Sequence, residues 1–250
     1  MSERPSERFV IPINVLDGVH NYCNRWCERC RFKARCTVYV NAHPDSKEAR
    51  DTVPFEPVMS PEVQEMLEAA GAFEEPTAAD MAEFDRRQRR LRREIAREPA
   101  LDMAKAYTTA ADVALGELGE AGAREAAEIV RWHQHFIWIK VHRALHGKLD
   151  EWFEPDDPEA DAYGSAKAAL VAMDDVMAAW LELGQHTESV GAVREAVELL
   201  DQARDALEAA LPRARKFVRP GFDTEPVLTG DQEIRSDQVL DSSSRPPELL

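Results

Sequence analysis

The sequence predicts an all-α protein, an antiparallel four-helix bundle that carries an N-terminal cysteine-rich metal-binding segment. Three observations support this prediction. Four long segments place apolar residues at the i, i+3, i+4 and i+7 spacing of a helix with one buried face. Most connections between these segments are short, which favours antiparallel neighbours. All four cysteines of the chain fall between residues 23 and 36.

The chain divides by composition into three parts. Residues 1–59 hold the cysteines and a proline-containing loop, and residues 60–217 hold the helical bundle. Residues 218–250 turn to Pro, Gly, Ser and Asp with little periodicity. Because a segment of that composition buries little apolar surface, we expect a disordered or surface tail.

The elements before the bundle are short. Residues 9–16 are mostly β-branched and aliphatic, but Pro12 interrupts them, so we expect at most a short edge strand. The first helix begins at Ser60-Pro61, since serine caps a helix and proline suits its first position.

The next helix, over residues 77–97, is strongly basic. Thr77, with Asp80 three residues later, predicts a capping box. Seven arginines follow, and Arg90 and Glu94 stand at the i,i+4 spacing of an ion pair. The pattern is typical of an exposed helix paired with the protein's own carboxylates. The alternative is a surface for an anion, RNA or an acidic partner.

The four bundle helices follow in order. Each is amphipathic and has few β-branched runs, as expected for helices that share a core. They cover residues 99–118, 120–146, 163–184 and 190–211. Only the connection at residues 147–162 is long, and it is acidic and contains several prolines.

The cysteines are spaced C-x3-C-x2-C-x5-C, at Cys23, Cys27, Cys30 and Cys36. Four thiolates this close in sequence can meet at one point, as a metal ion or an iron–sulfur cluster requires. The alternative is two local disulfides. However, the chain shows no apolar secretory signal, and clustered cysteines in the reducing cytoplasm are more often metal ligands. His20 and His43 are candidates for a further ligand.

The residues around the cysteines favour a [4Fe–4S] cluster over zinc. Structural zinc sites usually pair two short knuckles across a longer loop, whereas here three short, unequal gaps surround one centre. Tyr22, Trp26 and Phe32 supply apolar cover. Five basic residues and one acidic residue lie between the cysteines, and cations stabilise the negative charge of a tetrathiolate site. Zinc held by the same cysteines is the alternative.

Two parts of this segment resemble known iron–sulfur motifs. Cys23-x3-Cys27-x2-Cys30 resembles the three-cysteine motif of radical SAM enzymes, although Arg29 stands where that motif has an aromatic residue. Cys27-x2-Cys30-x5-Cys36 resembles the [4Fe–4S] segment of AddB-type and Cas4-type nucleases and of SPASM domains. Both resemblances are confined to the cysteines. They imply a [4Fe–4S] cluster and carry over no activity.

Five polar residues fall on or beside the apolar faces of two bundle helices: His133, Lys140, Arg143, Lys167 and Asp174. Charge on a buried face is costly unless it is paired, so we expect Asp174 to be buried against Lys140 or Lys167. One interpretation is a pocket for a small anionic ligand, with His133 as the acid–base group. The other is an ion-pair network that sets the register of the bundle.

The composition limits the classes of function. A formal net charge of −16 repels phosphates and argues against a nucleic-acid binder, and no apolar run approaches the length of a membrane span. The leading hypothesis is a cytoplasmic iron–sulfur protein whose cluster serves structure, redox sensing or electron transfer. One alternative is a zinc-stapled module that binds a protein partner. Another is a small-molecule enzyme that uses the polar pocket.

Overall fold

The computed structural model describes residues 9–55, 60–69, 76–118, 124–150, 153–157, 160–185 and 190–224. Within these ranges the chain forms seven α-helices and two three-residue strands. The helices are α1 (Thr37–Ala42), α2 (Pro61–Ala69), α3 (Ala78–Ile95), α4 (Pro99–Glu117), α5 (Arg124–Lys148), α6 (Asp161–Gly184) and α7 (Val190–Ala210). The prediction of a predominantly helical, all-α protein is confirmed. None of these helices is long and apolar enough to cross a membrane.

The two strands form a small antiparallel sheet. β1 (Val10–Pro12) pairs with β2 (Thr52–Pro54), so that Val10 lies opposite Pro54. The side chain of Asn41 on α1 holds β1 in place, because its amide donates to the Val10 carbonyl and its oxygen accepts from the Val10 N–H. The expected edge strand therefore forms. Its partner lies in a stretch where the sequence indicated only a loop.

α3 begins where the sequence predicts, directly after the N-cap residue Thr77. The Thr77 hydroxyl accepts a hydrogen bond from the Asp80 N–H, and the Asp80 carboxylate accepts one from the Thr77 N–H. Arg90 pairs with Glu94 at 2.9 Å, on the exposed side of the helix. Exposed pairs of this kind contribute little to stability. The helix is attached mainly by the aliphatic residues near its end, Leu91 and Ile95, which join the hydrophobic core.

The four long helices share one hydrophobic core. α5 lies against α6 and α4 against α7, and α4–α5 and α6–α7 contacts connect the two pairs. Many of the core residues are alanines, which let helix backbones approach closely. Among the largest buried side chains are Trp180 on α6 and Tyr107 on α4, and the indole Nε1 donates to the phenolic oxygen at 3.3 Å. Every buried residue of this core lies between Leu91 and Phe217.

The chain beyond α7 returns to the region of the cysteines. The Phe217 ring lies 4.7 Å from that of Tyr22, and the Phe222 ring meets that of Phe32 edge-on at 5.0 Å, measured between centroids. The predicted tail of residues 218–250 therefore begins with a segment that contacts the N-terminal part of the protein. From residue 225 onward it lies outside the described residues, so the tail prediction is untested there.

Candidate metal centre

The cysteines lie on a loop built from two short 3-10 turns, Cys27–Arg29 and Lys33–Arg35. Each turn is closed by a cysteine: the Cys30 N–H donates to the Cys27 carbonyl, and the Cys36 N–H to the Lys33 carbonyl. Gly18, whose φ is 71°, turns the chain into this segment without the strain that a side chain would cause. Residues 18–36 are named the cysteine loop below. Its consecutive tight turns keep the four thiols near one another.

The four cysteines line one small cavity. All four are free and partly buried, and the enclosed space is about 20 Å³. That volume admits one water-sized species. Val19, Trp26 and Tyr39 supply apolar or aromatic parts of the wall. Of the three residues expected to cover the site, Trp26 lines the cavity, whereas Tyr22 and Phe32 contact the C-terminal segment.

The four thiols do not form a closed coordination sphere. Among the described residues, no group of three or more His, Cys, Asp or Glu side chains is placed so that it could hold a metal ion. A tetrahedral zinc ion requires its sulfur ligands at about 2.3 Å from one point. The cysteines therefore share a cavity without forming a mononuclear site as placed.

Burial and repulsion between thiolates disfavour deprotonation of Cys27 and Cys30. Burial raises the pKa of Cys27, and the charges of the other three cysteines raise it further. Burial also raises the pKa of Cys30, although the Phe32 N–H donates to its Sγ at 3.4 Å and acts in the opposite direction. The thiolate forms of Cys27 and Cys30 are thus costly in this loop unless a cation balances them.

The five basic residues of the loop have two roles. Arg25 and Lys33 line the cavity. The other three donate to acceptors elsewhere in the fold: Arg29, Arg31 and Arg35. Arg29 bridges Glu125 and Glu128 of α5 at 3.2 and 2.8 Å, and its guanidinium lies 3.9 Å from the centre of the Trp26 ring. The basic residues therefore both surround the cysteines and attach the loop.

The two histidines considered as further ligands lie in different places. His20 lines the cavity, and burial lowers its pKa, which favours the neutral ring that metals bind. His43 lies outside the cavity lining. Its Nδ1 is 3.1 Å from the Tyr39 carbonyl oxygen, and its ring stacks on that of Tyr39. Only His20 is positioned as a candidate fifth ligand.

The loop rests on α5 through two of the five polar residues expected in the bundle core. Nε2 of His133 accepts a hydrogen bond from the Asn24 amide at 3.4 Å, because its Nδ1 bonds a carbonyl of its own helix. Lys140, only 5% exposed, donates to the Asn21 carbonyl. The two side chains thus hold groups on either side of Cys23.

Burial shifts the pKa values of both α5 residues. It lowers the pKa of His133, which favours the neutral ring that the Asn24 contact needs, although Asp175 acts in the opposite direction. Burial and, to a smaller extent, the nearby Arg143 together lower the pKa of Lys140 to about 8. His133 and Lys140 of α5 therefore support the cysteine loop on either side of Cys23, a contact that the sequence did not indicate.

Two tryptophans complete the contact between the loop and α5. The rings of Trp26 and Trp132 stack with centroids 5.1 Å apart and planes inclined by 16°. The indole Nε1 of Trp132 also donates to the Asn24 carbonyl at 3.0 Å. Trp26 is buried, so this stack removes a large aromatic surface from water.

The expected buried pair around Asp174 does not form. Asp174 is exposed and pairs with Arg215, which follows α7. Lys167 donates instead to the Arg215 carbonyl at 2.8 Å, and Lys140 faces the cysteine loop. The prediction that Asp174 is buried against a lysine is wrong, because an exposed ion pair avoids the desolvation cost of a buried one.

The five polar residues therefore do not line one pocket. Two lie under the cysteine loop, and two lie at the surface near Arg215. The fifth, Arg143, pairs with Asp161 at the start of α6 at 3.0 Å. Neither the acid–base pocket nor the single ion-pair network expected from these five side chains is present.

Tyr22 connects the cysteine loop to α6. Its hydroxyl donates to the Asp161 carboxylate at 3.2 Å, and burial together with that carboxylate raises its pKa to about 12. Its ring lies over Gly164, where a Cβ atom would stand 2.2 Å from Tyr22 Cε1. Only glycine leaves room for the ring at this point of the helix.

The sequence indicated no role for Asn21 or Asn24 in attaching the loop, and for Tyr22 only apolar cover of the cysteines. Asn21, Tyr22 and Asn24 flank Cys23 but match no ligand or catalytic pattern, because they act through a carbonyl, a ring and an amide. One signal was present: Gly164 lies in the first turns of a predicted helix, where glycine is unfavourable unless a packing contact requires it. Gly221 is comparable, since a Cβ there would stand 2.3 Å from Leu16.

No known protein family, curated protein or solved structure matches this chain. The functional assignment therefore rests on the chemistry of the residues in the cavity and of the groups that surround them.

Proposed function

We propose that the cysteine loop binds a [4Fe–4S] cluster through Cys23, Cys27, Cys30 and Cys36. On this proposal the chain is a cytoplasmic iron–sulfur protein whose cluster has a structural, redox-sensing or electron-transfer role. One observation carries the proposal: all four cysteines of the chain line the same cavity, with free thiols. Four thiolates are the usual ligand set of such a cluster.

The surroundings of the thiols support an anionic group at this position. A [4Fe–4S]²⁺ core with four thiolates carries a net charge of about −2. Arg25 and Lys33 line the cavity, in a protein that is otherwise acidic. The Phe32 N–H that donates to the Cys30 Sγ is the kind of hydrogen bond that adjusts a cluster's potential. Trp26 covers the site against water.

The choice between a cluster and a single ion depends on how far apart the sulfur atoms lie. In a cubane each thiolate binds a different iron, so the four sulfurs need not converge on one point. Zinc is the second candidate, because a cavity of about 20 Å³ suits one ion. With zinc, the protein is a stapled module that binds a protein partner. With a cluster, the partly exposed loop must widen.

A structural role is favoured among the roles of the cluster. The cysteine loop contacts α5 through Asn24 and Trp26, α6 through Tyr22, and the C-terminal segment through Phe32. A group bound at the centre of this loop holds all of these contacts together. We also propose that α4–α7 form an antiparallel four-helix bundle, which their shared core and short connections support.

Anaerobic purification tests this proposal. The protein should be brown and contain about four iron and four sulfide per chain. Replacing any one of the four cysteines by serine should remove most of the iron, because the cluster loses a thiolate ligand. His43→Ala is the matched control for the loop and should keep its iron, since that ring lies outside the cavity.

The metal content of the protein and its variants distinguishes the cluster from zinc and tests the ligand set. A colourless protein with about one zinc per chain selects the zinc-stapled module. Loss of iron in His20→Ala, together with retention in one cysteine variant, would replace that cysteine by His20 as a ligand. Retention of iron in all four serine variants would refute the ligand set.

A further inference from the structure

A second cavity lies beside the cysteine loop, along the outer side of α5. It is an open groove of about 410 Å³, within the size range of small-molecule sites. Asn24 and Arg25 of the loop form one side, and α5 supplies Arg131, Trp132, Phe136, Ile139, Lys140 and Arg143. The α5 residues from Trp132 onward recur at helical spacing and so share one face.

The groove is cationic in a protein of net charge −16. Among the described residues, no Asp or Glu lines it, and neither Arg25 nor Arg131 has an ion-pair or side-chain hydrogen-bond partner. Arg143 shares its charge with Asp161, and Lys140 is buried while donating to a loop carbonyl. Guanidinium groups without partners, clustered in a cleft, attract anions and bind phosphate in a forked geometry.

The backbone of Arg25 is unusual. Its φ is 60°, the one positive value of a non-glycine residue in the described chain. Such conformations carry strain and concentrate at binding and catalytic sites. Arg25, together with its neighbour Asn24, lines both the cysteine cavity and the groove.

The groove also offers apolar surface next to these charges. Trp132 is 37% exposed and Ile139 is 50% exposed, and the Phe136 ring lies between them along the helix. Aromatic surface of this kind stacks on flat rings. A ligand that satisfies the whole groove therefore has a planar apolar part and an anionic part.

We propose that this groove binds a nucleoside monophosphate, with its base on the surface of Trp132 and Phe136 and its phosphate at Arg25 and Arg131. The volume fits a ligand of that size, and both parts of the ligand find complementary groups. A nucleic-acid polymer is disfavoured, because its additional phosphates meet the acidic remainder of the protein.

Isothermal titration calorimetry of the full-length protein with adenosine monophosphate tests this inference. One saturable site is expected, and adenosine or inorganic phosphate alone should bind at least about tenfold more weakly, since each satisfies half of the groove. Arg131→Gln should weaken binding about tenfold to a hundredfold by removing a charged donor. Ile139→Glu should also weaken binding, because it places a negative charge in a groove whose other charged side chains are all cationic. Arg194→Gln, an exposed change on α7, is the control and should leave binding unchanged.

Absence of saturable binding would overturn the proposal, as would equal affinity of the Arg131→Gln and Arg194→Gln variants. Phosphate that binds as tightly as adenosine monophosphate would reduce the groove to a simple anion site. A short single-stranded oligonucleotide that binds more tightly would make it a nucleic-acid surface. Failure here is distinguishable from failure of the cluster proposal, because iron content is measured on the same preparation.

Discussion

Replacement of Gly164 by alanine should destabilise the protein by about 2–3 kcal/mol and loosen the cysteine loop. The added Cβ atom would stand 2.2 Å from Cε1 of Tyr22 and 2.7 Å from Cζ of Phe217. Neither ring moves freely, because the two rings pack on each other and Tyr22 is hydrogen-bonded to Asp161. Displacing Tyr22 also shifts its neighbour Cys23, so the variant should lose bound iron more readily.

Gly191→Ala is the matched control for this change. Gly191 lies near the start of α7 as Gly164 lies near the start of α6, and a Cβ there would meet nothing within 4 Å. Alanine favours the helix over glycine by up to about 1 kcal/mol, so this variant should be neutral or slightly more stable. Thermal denaturation measures both variants, and a Tm lower by about 5–10 °C is expected for Gly164→Ala alone. Equal Tm values would contradict the close contact of Tyr22 with α6.

The helices follow from the sequence because their determinants are local. The capping box of Thr77 and Asp80 and the proline at the first position of α4 act within one turn of chain. The burial of His133 and Lys140 also follows from periodicity, since both positions fall at the centre of the apolar face of α5.

The partners of these side chains do not follow from periodicity. A helical projection places Lys140 on a face, but does not say whether another helix or a loop covers that face, and here a loop does. Asp174 lies at the edge of its apolar stripe, where a small rotation decides between burial and exposure. Arg215, which comes after α7, then offers it an exposed partner. Contacts between residues distant in sequence decide both outcomes.

The C-terminal segment illustrates the same limit. Its composition indicates few apolar residues, and on that ground the sequence predicts a disordered or surface tail. A single aromatic residue is enough to change this, because Phe222 meets Phe32 at the cysteine loop. Composition averages over a segment, whereas docking depends on individual side chains.

If the cysteine loop binds the proposed cluster, removal of its iron should release the loop while leaving the four long helices folded. The buried residues of the helical core lie between Leu91 and Phe217, so none comes from the loop. The loop itself is attached by hydrogen bonds and exposed ion pairs such as Arg29–Glu128, each of which contributes about 1 kcal/mol or less, and by the aromatic contacts of Trp26 and Tyr22. A ligand present at a hundred times its Kd adds about 2.7 kcal/mol to the free energy needed to open such a structure.

Hydrogen exchange of the purified and the iron-depleted protein measures this difference. Amides of the cysteine loop should exchange about a hundredfold faster once the iron is removed, because the opening free energy falls by the binding contribution. Amides of α4 and α7 are the internal control and should stay protected, with the far-ultraviolet circular dichroism nearly unchanged. A collapse of the helical signal would mean that the core depends on the cluster, as in small metal-folded domains. Unchanged exchange in the loop would mean that Trp26, Tyr22 and the hydrogen bonds with His133 and Lys140 hold it without any metal. A redox or electron-transfer role would then be favoured over a structural one.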